Sequence, residues 1–240
     1  MHMPPLRLNP LLDRDALAAA FARDRRVQVE GLLDPAAALW WSAHLRGRGD
    51  WRQVLNSGDK VFELDRAAVA AMDDDRRRAL DDAVHAGARA GFQYRYETIR
   101  VPDAADERAA SPDPLARFAE WMAGEEVLGF LRTVTGFADL GFADAQATAY
   151  APGDFLTAHD DDVAGKNRRA AYVLNLSERW RTEWGGVLLF HDGVARIRDG
   201  FVPAMNTLNV FAVPQVHSVS QVTRAAPYRR YSITGWLRTR

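Results

Sequence analysis

Residues 143–162 of the chain read ADAQATAYAPGDFLTAHDDD. From residue 143 to residue 150, alanine alternates with other side chains, and a period of two is typical of a β-strand. The Pro152-Gly153-Asp154 sequence then indicates a turn, and a second alternating segment runs from Phe155 to His159. This stretch therefore predicts two short strands, the second of which ends at a histidine followed by three aspartates.

Six more alternating segments follow, separated by Gly, Pro, Asp and Asn. They are residues 169–176, 186–191, 194–198, 207–213, 216–222 and 228–237. Eight short strands at this spacing predict an antiparallel sandwich or jelly roll.

The first half of the chain has a mixed pattern of helices and strands. Helices are expected to begin after Asp13, Asp34 and Asp73 and to cover about 114–123 and 125–135, and strands are expected at 27–30, 51–57, 60–64 and 92–100. Residues 102–114 lack apolar periodicity and predict an exposed loop, which together with the turn at 56–60 is a candidate lid. We expect one domain, 1–240, in which a helical and strand support region (1–142) packs on a β core (143–240).

Composition excludes several classes of protein. With 240 residues, 48% of them hydrophobic, the chain is long enough to bury one sizeable core. A formal net charge of −1 provides no general attraction to nucleic acid, and the absence of cysteine excludes disulfides, Cys-ligated metals and thiol nucleophiles. No apolar run reaches the length of a membrane span, and no signal peptide is recognisable, so we expect a soluble, cytoplasmic protein. The oligomeric state is not indicated.

His159 and Asp161 are candidate metal ligands. Side chains at i and i+2 of a strand share a face, so one imidazole and one carboxylate can point into the predicted barrel together. His217, on a late strand, is the leading candidate for a third ligand, and two histidines with one carboxylate are typical of non-haem Fe(II) oxygenases. A bulge at Asp160 would instead turn Asp162 inward, and a lone strand histidine is more often a structural, hydrogen-bonded group.

A second polar set lies on the last predicted strand. Arg230, Ser232, Thr234 and Trp236 alternate onto one face. A guanidinium beside a hydroxyl suits a carboxylate ligand, because the arginine can bind both carboxylate oxygens. The alternative is that this face is solvated and that the opposite face forms the core.

A series of short motifs runs from Gln146 to Arg238. They are Tyr150-x-Pro152-Gly153-Asp154-Phe155-Leu156 leading to His159-x-Asp161, Leu174-Asn175-Leu176, Trp184-Gly185-Gly186, His217-Ser218-Val219, and Arg230 to Trp236. Together they resemble the 2-oxoglutarate- and Fe(II)-dependent oxygenases, and within them the prolyl-hydroxylase-like branch.

This resemblance implies an α+β fold with a double-stranded β-helix (jelly-roll) core, on whose major sheet the N-terminal helices and strands pack. It also implies a set of ligands: Fe(II) bound by His159, Asp161 and His217, and 2-oxoglutarate bound by Arg230, Ser232, Tyr150 and Asn175. Asn175 stands where relatives often carry a tyrosine that hydrogen-bonds 2-oxoglutarate, and an amide can make the same bond. O2 is the second cosubstrate, with ascorbate as a reductant.

The implied activity is hydroxylation of an unactivated C–H bond, coupled to decarboxylation of 2-oxoglutarate to succinate. A prolyl residue in a protein is the expected substrate, and a free amino acid or another small metabolite is the alternative. Nucleic acid is not expected, because Trp236 stands where demethylases of this superfamily tend to carry a second arginine. A non-catalytic, cupin-like binding barrel is the non-enzyme alternative.

Arg169, Trp236 and Thr148 are the expected substrate-pocket residues. The Arg168-Arg169 pair precedes a predicted strand, so these two side chains either line the mouth of the pocket or lie in solvent.

Overall fold

A computed structural model describes residues 3–239 of the chain. The helices in this range are α1 (Arg14–Asp24), α2 (Pro35–Gly47), α3 (Arg66–Ala70), α4 (Asp74–Ala90), α5 (Ala105–Ala110), α6 (Pro114–Met122) and α7 (Glu125–Thr135), with a short 3-10 helix at Thr182–Trp184. The strands of the first half are β1 (Arg26–Glu30), β2 (Arg52–Ser57), β3 (Lys60–Asp65), β4 (Tyr94–Arg100) and β5 (Phe142–Ala143). Those of the second half are β6 (Gln146–Tyr150), β7 (Phe155–His159), β8 (Arg168–Asn175), β9 (Leu188–His191), β10 (Ile197–Phe201), β11 (Thr207–Ala212), β12 (His217–Val219) and β13 (Arg230–Arg238).

Acidic caps start the helices where the sequence predicts them. The Asp13 side chain accepts a hydrogen bond from the Ala16 amide at 3.0 Å, and the Asp73 side chain accepts one from the Arg76 amide at 2.8 Å. Each bond satisfies a backbone N–H group that has no partner inside its helix, which is why a short acidic side chain is favoured there. The helix starts expected after Asp13 and Asp73 are therefore confirmed.

All the strands join one antiparallel sheet, which closes almost completely into a barrel. Its main strand order is β1-β11-β8-β13-β6-β4-β7-β12-β9-β10, with the β2–β3 hairpin joined to β4 and with β5 joined to β13. The predicted double-stranded β-helix core is confirmed, and strands from both halves of the chain share the sheet.

The major sheet is apolar on one face and polar on the other. Ala147 and Ala149 of β6 and Ile233 of β13 are fully buried against the N-terminal helices, in a core that includes Trp41 and Phe118. The alternate residues of the same two strands point into the barrel and line a cavity. The predicted packing of the N-terminal region on the major sheet is therefore confirmed, and the strand period of two separates core residues from cavity residues.

Residues 102–114 differ from the prediction of an exposed loop. They contain helix α5, on which Arg108 is only 6% exposed and has its guanidinium 5.0 Å from the centre of the Phe142 ring. This helix escapes sequence analysis because it is one and a half turns long, rich in alanine, and lacks a side-chain hydrogen bond at its N-cap. A cation–π contact in the folded chain holds the buried arginine.

In the part of the chain that the structure describes, every helix is too short or too polar to cross a bilayer.

A buried carboxylate connects the support region to the start of β13. Glu97 of β4 accepts hydrogen bonds from Arg66 Nη2 at 2.7 Å and from Arg229 Nε at 2.8 Å. The Glu97 side chain is 6% exposed, so little water competes for these bonds. Arg229 immediately precedes Arg230, the first residue of β13, so this contact ties the start of β13 to β4.

We expect Glu97→Gln to lower the free energy of unfolding by about 1.5–3 kcal/mol, the usual contribution of hydrogen bonds to a charged group. Urea denaturation followed by circular dichroism measures the change. The matched control is Glu63→Gln, because Glu63 pairs with Arg100 at 3.2 Å but both side chains are more exposed. An exposed pair contributes about 1 kcal/mol or less. Equal losses of unfolding free energy in the two variants would show that the buried Glu97 pairs stabilise the protein no more than an exposed pair does.

Candidate metal centre

Two antiparallel strands bring His159 and His217 together. The two residues are register partners at the ends of β7 and β12, and their ring centres are 4.2 Å apart. His159 Nδ1 lies 3.0 Å from the Thr157 carbonyl oxygen, and His217 Nδ1 lies 2.8 Å from the Gln215 carbonyl oxygen. An Nδ1–H that donates to a carbonyl leaves Nε2 unprotonated, which is the form that binds metals.

Asp161 completes a cluster of three ligands. Its Oδ1 is 3.4 Å from His159 Nε2, and its Oδ2 is 3.4 Å from His217 Nε2. The ligand atoms of the three residues all lie within 4.8 Å of one another. Two imidazole nitrogens and one carboxylate oxygen, gathered on one side of a space, fit the donor set of a non-haem Fe(II) site.

Asp161 reaches this position by a turn and not by strand alternation. Strand β7 ends at His159, and Asp161 has a φ of 65°, in the left-handed region. Arg168 Nη1 donates a 3.0 Å hydrogen bond to the Asp161 carbonyl oxygen and so holds this turn. Asp160 and Asp162 are exposed, and the Asp162 amide donates to Asp160 Oδ1 at 3.1 Å. The sequence argument reaches the same aspartate, but its physical reason is wrong.

The local charges favour the metal-binding forms of these ligands. Burial raises the pKa of the Asp161 carboxyl, but the hydrogen bond with His159 and the charges of both histidines outweigh it, so this pKa is net lowered. Burial, together with the charge of His159, lowers the pKa of His217 to about 4. At neutral pH, Asp161 is therefore an anion and His217 is neutral.

A cavity of about 380 Å³ opens beside the three ligands, and Arg230 lies in its wall. Arg230 is 2% exposed, and in residues 3–239 its Nε and Nη1 atoms have no hydrogen-bond partner. Its Nη2 donates to Asn175 Oδ1 at 3.3 Å, and the guanidinium lies 5.4 Å from the centre of the Tyr150 ring. Burial lowers the pKa of Arg230. A buried cation with free donors fits an anionic ligand, because its desolvation is otherwise uncompensated.

Two hydroxyls lie next to Arg230 on the same inner face. Ser232 and Thr148 are register partners across β13 and β6, and their hydroxyl oxygens are 2.8 Å apart. Both residues line the cavity with Tyr150, which is the partner of Arg230 in the same register. The structure thus brings Arg230, Ser232, Thr148 and Tyr150 to one wall, as the strand pattern predicts.

Asn175 lies behind this wall and does not line the cavity. It is completely buried, its Oδ1 accepts from Arg230, and its Nδ2 donates to the Thr207 carbonyl oxygen at 3.2 Å. Both ends of the amide are therefore occupied by protein partners. The expected direct contact of Asn175 with the cosubstrate is not supported, because the shorter amide stops at the arginine.

Arg169 also departs from the expected position, and Arg168 takes its place. Arg169 pairs with Asp139 at 3.3 Å and lies 4.7 Å from the centre of the Phe137 ring, away from the cavity. Arg168 lines the cavity and stacks on Trp236, with its guanidinium carbon 3.6 Å from the ring centre. Neighbouring residues of a strand point to opposite faces, so only one of the two arginines can face inward.

An aromatic wall on β4 was missed by the sequence analysis. Phe92, Tyr94 and Tyr96 line the cavity, with ring centres 5.6 Å apart from Phe92 to Tyr94 and 5.6 Å apart from Tyr94 to Tyr96. Tyr96 then stacks on Tyr150 with ring centres 5.1 Å apart, and burial raises the pKa of Tyr96 to about 12. The signal was available: Tyr94 and Tyr96 are two residues apart in a predicted strand and must share a face.

Comparisons with known proteins agree with this geometry. Residues 145–238 match the sequence profile of the 2OG-Fe(II) oxygenase superfamily. No curated protein sequence matches the chain.

Solved structures share the fold at low sequence identity. A Pseudomonas putida prolyl-4-hydroxylase is 19% identical, with a TM-score of 0.59 over 95% of this chain and 99% of its own. A Trichoplax adhaerens prolyl hydroxylase, in complex with a hypoxia inducible factor peptide fragment, is 12% identical, with a TM-score of 0.57 over 94% and 89%. The α-ketoglutarate-dependent epimerase SnoN from nogalamycin biosynthesis is also 12% identical, with a TM-score of 0.57 over 94% and 83%.

Proposed function

We propose that this chain, whose residues 145–238 match the profile of the 2OG-Fe(II) oxygenase superfamily, is an oxygenase of this kind that hydroxylates prolyl residues in proteins. The observation that carries the choice of substrate is the lining of the cavity beside the metal centre. Phe92, Tyr94 and Tyr96 contribute one set of rings, and Trp236, covered by Arg168, contributes another. The proline ring is a compact apolar group that packs well on aromatic faces. The prolyl hydroxylases among the structural neighbours are in accord with this choice.

In this proposal, His159, Asp161 and His217 would hold Fe(II) beside the cavity that they line. The Nδ1 hydrogen bonds to Thr157 and Gln215 hold each imidazole in the orientation that points Nε2 at the metal. Fe(II), 2-oxoglutarate and O2 supply the oxidation when bound, with succinate, CO2 and one hydroxylated C–H bond as products.

Arg230 binds the carboxylate of 2-oxoglutarate that is farther from the keto group, through guanidinium donors that no group in residues 3–239 occupies. This charge-assisted contact orients the cosubstrate. Ser232 and Thr148 present hydroxyls beside the same carboxylate, and Tyr150 covers the guanidinium and excludes water. Burial of this wall strengthens the electrostatic contact.

Asn175 is a positioning residue in this arrangement, because it touches Arg230 and not the ligand. We expect Asn175→Ala to weaken 2-oxoglutarate binding about tenfold, since Arg230 Nη2 loses the Asn175 Oδ1 acceptor and the guanidinium can rotate. Titration of 2-oxoglutarate into the anaerobic Mn(II)-loaded protein measures the affinity. Mn(II) affinity should be unchanged.

The matched control is Asn209→Ala, which removes another fully buried strand asparagine without touching Arg230. If both variants bind 2-oxoglutarate like the parent, Asn175 does not position Arg230.

The proposed reaction is tested by incubating the protein with Fe(II), 2-oxoglutarate, O2 and pairs of peptides that differ only by proline or alanine at one site. We expect the proline peptides to gain the mass of one oxygen atom, with one succinate per modified peptide. Modification of alanine peptides at the same rate, or of none of the peptides, would overturn the proposal.

A hydroxylase of a free amino acid or another small metabolite is the second candidate. One observation favours it: Arg168 Nε is buried without a hydrogen-bond partner in residues 3–239, and it suits a free carboxylate. Hydroxylation of free proline or of another free amino acid, without modification of any peptide, would establish this alternative.

A further inference from the structure

A second cavity adjoins the one at the metal centre. It has a volume of about 210 Å³ and shares with the first cavity the side chains of Gln146, Arg168 and Trp236. The wall between the two spaces is therefore one layer of side chains thick. A molecule that lies against Trp236 at the metal centre needs only to continue past this layer to enter the second cavity.

Positive charge predominates in the second cavity. The charged residues in its wall are Arg100, Lys166, Arg168, Arg238, Asp103 and Asp144. Four cations and two anions give a local net charge of +2, against −1 for the whole chain. The lining of this cavity is therefore positively charged, although the whole chain carries a small net negative charge.

The two acidic residues of this cavity are already paired. Arg238 Nη1 lies 3.1 Å from Asp103 Oδ2 and 3.5 Å from Asp144 Oδ2. Asp144 Oδ1 also accepts a 2.7 Å hydrogen bond from the Trp236 amide. Arg238 and the backbone are therefore the direct partners of both carboxylates, and within residues 3–239 neither carboxylate makes an ion pair with Arg100, Lys166 or Arg168.

Two of the remaining cations have polar groups that are free to bind a ligand. Within residues 3–239, Lys166 makes no ion pair and is exposed. Arg168 Nη1 lies 3.9 Å from Asp161 Oδ1, so its charge has a partner outside this cavity, but its Nε is buried and without a hydrogen-bond partner. Arg100 is paired with Glu63, which is not part of this cavity. Lys166 is thus a cation without an ion pair at this cavity, and Arg168 Nε is a free donor beside it.

We propose that the substrate extends from the metal centre across Trp236 into this second cavity, and that it carries a carboxylate there. The inference rests on the proposed prolyl hydroxylation and specifies the sequence around the proline. An extended chain advances about 3.3–3.6 Å per residue, and the wall is one side chain thick, so the carboxylate lies within about three residues of the proline. An acidic side chain and a free carboxyl terminus have the same chemistry.

The test compares peptides that carry Asp or Asn at each position within three residues of the proline, all with amidated C-termini, and one Asn peptide with a free C-terminus. Binding is measured by fluorescence anisotropy with the anaerobic protein loaded with Fe(II) and 2-oxoglutarate, so that no turnover is needed. We expect one Asp position to bind about tenfold more tightly than its Asn counterpart, and the preference to fall as salt is raised.

Charge reversal at the second cavity provides the matched variants. Lys166→Glu should remove the preference for Asp, and Lys166 is a suitable site for the change because it is exposed and, within residues 3–239, contacts none of the proposed metal ligands. Arg198→Glu makes the same change of net charge at an exposed residue of β10, which is the last strand of the order and does not line the second cavity, and this variant should keep the preference.

The other possible results distinguish failure of this inference from failure of the proposed function. Equal binding of Asp and Asn peptides at all positions, or an Asp preference that survives Lys166→Glu, overturns the inference while prolyl hydroxylation stands. A preference seen only with the free C-terminus assigns the cavity to a chain end. Failure of every proline peptide to bind overturns the proposed function and this inference together.

Discussion

Replacing Asp161 by asparagine is expected to weaken Fe(II) binding at least about 100-fold and to abolish succinate formation. The substitution removes the anionic ligand that lies 3.4 Å from both imidazole Nε2 atoms. Asparagine is the informative replacement because it tolerates the left-handed backbone that Asp161 adopts at a φ of 65°. Loss of metal binding would then reflect the lost charge and not a distorted turn. Anaerobic Mn(II) titration followed by electron paramagnetic resonance measures the affinity directly.

Asp160→Asn and Asp162→Asn are the matched controls for Asp161→Asn. Both residues are exposed and contact each other rather than the histidines, so metal affinity and turnover should stay near the parent values. Tight metal binding by Asp161→Asn combined with its loss in Asp162→Asn would show that the turn presents the wrong carboxylate. Thermal melting of all three variants without metal verifies that each is folded.

Arg230→Met should weaken 2-oxoglutarate binding by about 2–4 kcal/mol, roughly 30-fold to 1,000-fold, without loosening the metal centre. Methionine fills much of the volume of the arginine stem but cannot bind a carboxylate. Since Arg230 is buried without a counter-ion in residues 3–239, its removal should leave the melting temperature of the ligand-free protein unchanged or raise it. Titration of 2-oxoglutarate into the Mn(II)-loaded protein and a thermal melt measure the two effects.

Arg229→Met is the matched control for Arg230→Met, because the opposite effects on stability and on 2-oxoglutarate affinity are expected. Arg229 is 39% exposed and pairs with Glu97 at 2.8 Å, on the side away from the cavity. Arg229→Met should therefore lower stability and leave 2-oxoglutarate affinity close to the parent value. If Arg230→Met binds 2-oxoglutarate as tightly as Arg229→Met does, the carboxylate anchor lies elsewhere in the cavity.

Sequence reasoning succeeds for this chain wherever a strand is continuous. Ala147 and Ala149 face the helical core, whereas Thr148 and Tyr150 face the cavity, as strict alternation on β6 requires. The same rule puts Arg230 and Ser232 on the inner face of β13. A period of two is a local property of an extended backbone, so it can be read from the residues alone.

The reasoning fails where the chain leaves a strand. Asp161 is reached by a left-handed turn beyond the end of β7, and the backbone conformation of that turn depends on a bond from Arg168, seven residues later. The choice between Arg168 and Arg169 also required the true register of β8, because a shift of one residue exchanges the inner and outer faces.

The sequence by itself determined that this protein has a barrel of short antiparallel strands, and which residue types lie inside it, because alternation and turn residues act over a few neighbouring positions. Only the tertiary structure decided which partner each inward-facing residue contacts. Asn175 accepts a hydrogen bond from Arg230, Tyr96 stacks on Tyr150, and the cations of the second cavity come from residues far apart in the chain. These contacts join positions tens of residues apart, and their pairing depends on strand order and register, which no local pattern encodes.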